Sequence, residues 1–106
     1  NIVEGQRVDI ADIDNGKRLS TYTIAGPRGS GVVQLNGAAA HLVSVDDLVI
    51  IMAYCQVPES QVRGWKPAVA FVDEHNRIIE TGDSAGRVPE DSERARELGL
   101  KSAGKP

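Results

Sequence analysis

Arg7-Val8-Asp9-Ile10-Ala11-Asp12-Ile13, then Asp14-Asn15-Gly16-Lys17, then Arg18-Leu19-Ser20-Thr21-Tyr22-Thr23-Ile24 is the stretch on which the fold turns. The first segment alternates polar and apolar residues with one slip at Ala11, the pattern of a half-buried strand with room for a bulge. Asn-Gly accepts positive φ at both central positions of a turn, and the segment after it is rich in β-branched and aromatic side chains. The run therefore predicts a tight β-hairpin.

Working outward, Ala25 to Gly31 holds three glycines and a proline and reads as a loop. Val32 to Asn36 resumes as a short strand, and Gly37-Ala38-Ala39-Ala40-His41 offers side chains small enough for a ligand or another strand to approach the backbone. After a polar turn at Val43 to Asp47, the apolar run Leu48 to Cys55 predicts a strand buried on both faces. Pro58 to Arg63 suits one or two helical turns, with Pro58 in the first turn and Gly64 as the stop. Ala68 to Val72 and Ile78 to Thr81 read as strands joined by a turn at Asp73 to Arg77. About six short strands, one or two short helices and glycine-bearing turns point to a mainly β fold, a small barrel. The division expected is a barrel domain over 1–81 and a polar, mobile tail over 82–106, with one helical turn at most over Arg94 to Leu98.

Composition bounds the function. A chain of 106 residues makes one domain, and its net charge of −3 lacks the basic surface that nucleic acid or an anionic membrane requires. The single cysteine, Cys55, rules out an internal disulfide framework and suits a reducing compartment. No apolar run approaches the roughly 20 residues that span a bilayer, and the first residues do not form a signal peptide, so a cytoplasmic location is expected. The only methionine is Met52, so part of the polypeptide is expected upstream of Asn1.

No triad, P-loop or metal motif is present. His41 and His75 are far apart without a second ligand at helical or hairpin spacing, and no metal is expected. Gly29-Ser30 reads as a flexible turn. The denser constellation follows the hairpin: strand alternation sends Arg18, Ser20 and Tyr22 to one face, and Leu19, Thr21 and Thr23 to the other. A guanidinium grips a carboxylate bidentately, and a phenol can deliver a proton to a carbanion. The same pair also suits a cation–π or cross-strand surface contact.

Asp14-Asn15-Gly16-Lys17-Arg18 with Thr21-Tyr22, Arg28-Gly29-Ser30-Gly31, Asn36-Gly37-Ala38-Ala39-Ala40-His41 and Asp47-Leu48-Val49-Ile50-Ile51 together resemble the pyruvoyl-dependent aspartate 1-decarboxylases. The resemblance runs from Glu4 to Thr81, and Trp65-Lys66-Pro67 extends it. It implies a double-psi β-barrel, a homotetramer, and decarboxylation of L-aspartate to β-alanine and CO₂ for pantothenate and coenzyme A synthesis. It also implies self-cleavage of a precursor into a short chain and a longer one, with the pyruvoyl group formed from a serine upstream of residue 1. In such an enzyme the substrate amine forms a Schiff base with the pyruvoyl ketone, which accepts the electrons released as CO₂ leaves. By the same resemblance Tyr22 is the proton donor and Arg18 holds a substrate carboxylate. Thr21 with the backbone of Gly37, Ala38 and Ala39 binds substrate, Asn36 lies beside the pyruvoyl group, and Thr21 also serves processing.

Two other readings remain open at this stage. One is a non-catalytic double-psi barrel that binds a partner, and the other is a truncated relative with a structural role. An exposed apolar or basic face would favour the former.

Overall fold

The computed structural model describes residues 2–84 and Glu97. The chain divides into two compact units, Asn1–Gln56 and Val57–Pro106. The described residues are mainly strand, with two short 3-10 helices and two open sheets, in keeping with the expected small β-barrel class. The expected polar tail, including its helical turn, lies outside the described residues from 85 onward, Glu97 excepted.

In the first unit, β1 (Arg7–Asp12) is the central strand of three, flanked by β2 (Arg18–Tyr22) and β3 (Val49–Ala53), all antiparallel. The hairpin forms as predicted, but its turn is wider. Asp12 N–H donates to the Lys17 carbonyl and Gly16 N–H to the Asp12 carbonyl, both at 2.8 Å, so residues 13–16 make the loop. Gly16 takes φ +75°, whereas Asn15 is not left-handed. The cause is local. The Asp12 carboxylate accepts the N–H groups of Asp14 and Asn15, and Asn15 spends its side chain on Lys17 N–H and the Leu42 carbonyl. The slip at Ala11 is not a bulge: β1 keeps register with both neighbours there, Ala11 facing Arg18 and Ile50.

Because residues opposite one another share a face, the register sorts the sheet without ambiguity. One face carries Val8, Ile10 and Asp12 with Leu19, Thr21, Val49 and Ile51, and the other carries Arg7, Asp9 and Ala11 with Arg18, Ser20, Tyr22, Ile50 and Met52. Among the described residues the buried apolar ones are Val8, Ile10 and Ala11, all on β1.

The run Leu48 to Cys55 is not the doubly buried strand its composition predicts. Its paired part, β3, is an edge strand, with Ile50 at 47% and Ile51 at 41% exposure on opposite faces. Apolar composition does not fix which neighbours a strand receives on its two faces. Val32 to Asn36 likewise pairs with no strand among the described residues, and Val32 and Val33 are exposed. The small-residue stretch forms a 3-10 helix, η1 (Gly37–Leu42), which packs beside β2.

In the second unit, η2 (Glu59–Gly64) starts one residue after Pro58, which is extended at the N-cap, and Gly64 is its last residue. β4 (Val69–Val72) and β5 (Ile78–Gly82) form an antiparallel pair with an irregularity at Phe71/Val72. Asp73 organises the turn between them, accepting the N–H groups of His75 at 2.8 Å and Arg77 at 3.0 Å, while Asn76 takes φ +61°. No helix among the described residues is long and apolar enough to cross a membrane.

Candidate functional site

Strand alternation on β2 decides which side chains converge. Arg18, Ser20 and Tyr22 stand in one row, and β1 sets Ala11, Asp9 and Arg7 opposite them in turn. Small Ala11 leaves space across from the Arg18 stem. In the middle of the row Ser20 Oγ donates to Asp9 Oδ1. Met52, opposite Asp9 on its other side, extends the same face. Asp9, Arg18, Ser20 and Met52, with Ile10 and Leu19, line an open depression of about 230 Å³.

Arg18 has no ion-pair partner among the described residues, and Tyr22 is 64% exposed with its hydroxyl not engaged by any described residue. Their Cα atoms are four strand residues apart, roughly 14 Å along an antiparallel strand, with both side chains on the same side. That spacing leaves room between guanidinium and phenol for a small molecule. This face thus offers two cations without an ion-pair partner among the described residues, Arg18 and Arg7, with one available phenol and one carboxylate.

The register separates Thr21 from this row, since it lies opposite Val8 on the other face. Gly37, Ala38 and Ala39 form the first half of η1 beside β2, where Asn15 Nδ2 holds the Leu42 carbonyl at 2.8 Å. Gly37 takes φ +62°, a conformation that disfavours any side chain there. Asn36 caps η1 from an extended backbone, and its Oδ1 accepts Gln34 Nε2 at 2.9 Å. Gly29-Ser30 is a turn: Gly29 takes φ +79° and Ser30 N–H donates to the Pro27 carbonyl. His41 is exposed in the last turn of η1, and His75 is exposed beside Glu74 at 3.4 Å.

Asp9 was not legible as a site residue from sequence. The alternation of β1 places it on the face away from Val8 and Ile10, but only the β1–β2 register brings it to Ser20.

Residues 1–79 match the family described as aspartate decarboxylase. The chain belongs to the aspartate decarboxylase family. The match covers the hairpin, η1, β3, η2, β4 and the start of β5, so every element carrying the Arg18–Tyr22 row and the small-residue bend lies inside it. Membership supports decarboxylation of aspartate as the general activity, and the resemblance carried by Asn36 to His41 is to this same family.

Proposed function

We propose that the chain forms the catalytic β-barrel portion of an L-aspartate α-decarboxylase that yields β-alanine and CO₂ for pantothenate and coenzyme A synthesis. The observation that carries this reading is that Arg18 lines an open depression and Tyr22 stands in the same row of β2, within a segment that matches the family.

Loss of CO₂ from an α-amino acid leaves an electron pair on the former α-carbon. A guanidinium, a carboxylate, a hydroxyl and a thioether line the depression, and none of them delocalises such a pair. This donor set fits a site to which a carbonyl cofactor is brought. A pyruvoyl group would supply that electron sink when bound.

What remains falls to this chain. Arg18 holds a substrate carboxylate through paired N–H donors, which fixes the orientation of a molecule as small as aspartate. In this reading the backbone of Gly37, Ala38 and Ala39, in the η1 helix that packs beside β2, also binds substrate, and Asn36 at the start of the same bend lies beside the cofactor. Tyr22 Oη gives its proton to the carbon that lost CO₂. Thr21, on the opposite face, suits precursor processing better than contact with the same substrate molecule.

Exposed Ile50 and Ile51 on β3, and exposed Val32, Val33 and Ile24, are the apolar surface that the short chain of the processed precursor and further copies in a homotetramer cover. A cytoplasmic enzyme is the setting this reading adopts.

The test is intact-mass analysis of the complete protein together with an assay for β-alanine from L-aspartate. Two chains, the longer with a blocked amino terminus, and production of β-alanine are expected. A single unprocessed chain that forms no β-alanine overturns the reading in favour of a binding module.

A further inference from the structure

Away from the Arg18–Tyr22 row, on the turn side of the hairpin, Asp12, Asp14 and Asp47 each bring a potential ligand atom to a common point, these atoms lying within 4.8 Å of one another. The main chain fixes one oxygen of each carboxylate. Asp12 Oδ1 accepts Asp14 N–H at 2.8 Å and Asn15 N–H at 3.1 Å, Asp14 Oδ1 accepts Leu48 N–H at 2.8 Å, and Asp47 Oδ2 accepts Ser44 N–H at 2.8 Å.

Acidic clusters are common on surfaces, and the arrangement alone would mean little. Asp12 is different. It is only 2% exposed, and its second oxygen, Oδ2, is buried without a hydrogen-bond donor among the described residues. A buried carboxylate oxygen lacking a donor costs about 1–3 kcal/mol or more, so native proteins seldom leave one without a counter-charge. The other two members of the cluster, Asp14 and Asp47, are acids as well and bring no positive charge to it.

We propose that Asp12, Asp14 and Asp47 hold a divalent cation of the calcium type, which clips the hairpin turn to the segment entering β3. All the donors are carboxylate oxygens, the set preferred by hard cations. Oxygens on one calcium ion at about 2.3–2.6 Å lie no more than about 5 Å apart, matching the observed clustering. Backbone carbonyls and water complete such a shell.

The consequence reaches the end of η1. Ile13 N–H bonds the Leu48 carbonyl at 2.8 Å, and Asn15, from the same turn, holds the Leu42 carbonyl at the end of η1. A cation fixing the turn therefore also fixes the small-residue bend beside β2. The inference stands on the cluster alone and does not depend on the decarboxylase reading.

The test uses the complete protein stripped with chelator and titrated with calcium chloride, followed by calorimetry and thermal unfolding. One calcium per chain and a rise in Tm of at least about 4 °C at saturation are expected. Asp12→Asn risks the turn itself, so the deciding variant is Asp47→Asn. Its amide can donate to Asp12 Oδ2, so without calcium it unfolds at or above the wild-type temperature, and it loses the calcium response. No heat and no Tm change in the wild type at millimolar calcium overturns the proposal. So does an equal calcium response in Asp47→Asn.

Discussion

Ser20 donates its hydroxyl hydrogen to Asp9 directly across the β1–β2 ladder, which fixes a carboxylate between Arg18 and Tyr22 on the face where a dicarboxylate substrate is proposed to dock. That carboxylate repels the substrate and competes for Arg18. Asp9→Asn keeps an acceptor for Ser20 and removes the charge. The KM for L-aspartate is expected to fall about 2- to 10-fold at low ionic strength, with the gain shrinking as salt is added. A KM that rises instead would make Asp9 a substrate ligand.

Arg18→Lys retains the charge but not the forked pair of donors. Measured at saturating and limiting aspartate, KM is expected to rise at least about tenfold with kcat changed far less. A loss confined to kcat would remove Arg18 from the carboxylate-holding role.

Tyr22→Phe deletes only the acidic hydroxyl from an exposed side chain. If that hydroxyl protonates the carbon, kcat should drop by about 10²–10⁴ while KM stays within a few-fold. Product made in deuterated water offers a second readout, since a slower proton delivery that limits turnover enlarges the solvent isotope effect on kcat.

The turn at Asp73 gives a pH dependence of definite sign. The N–H groups of Arg77 and His75 bond its carboxylate and lower its pKa in the folded protein from the ordinary 3.8. The folded state therefore holds this proton less tightly than the unfolded state. The resulting stability is fully present above pH 3.8 and is lost as pH falls through the lowered value. Asp73→Asn should unfold at a lower temperature than the wild type at neutral pH, and the gap should narrow on acidification to about pH 2. A gap that is constant with pH would assign the effect to turn geometry rather than charge.

What was legible in the sequence is what depends on near neighbours. The strands of the hairpin follow from period-two alternation, and so does the common face of Arg18, Ser20 and Tyr22. The turn was placed correctly but read one type too tight, because Asp12 and Asn15 recruit backbone groups that a two-residue Asn-Gly turn leaves out. β3 was misjudged because apolar composition is the same for an edge strand as for a strand buried on both faces. The acidic cluster was invisible for a similar reason: Asp14 reaches Leu48 across 34 positions of chain, and no local pattern announces that contact.

Gly16→Ala isolates the cost of the hairpin turn. An added Cβ at residue 16 meets nothing within 4 Å, so steric clash with the rest of the molecule contributes nothing. The backbone at φ +75° is the whole penalty, about 1–2 kcal/mol for a residue with a side chain. Gly26 is the internal control: it too has open space around it, but it lacks the left-handed φ. Gly26→Ala should therefore be neutral or stabilise by about 0.4–1 kcal/mol, through reduced freedom of the unfolded chain. Thermal unfolding of the two variants should shift Tm in opposite directions or leave Gly26→Ala unmoved. If both variants fall equally, the wide turn closed by a left-handed Gly16 is not the turn the protein adopts.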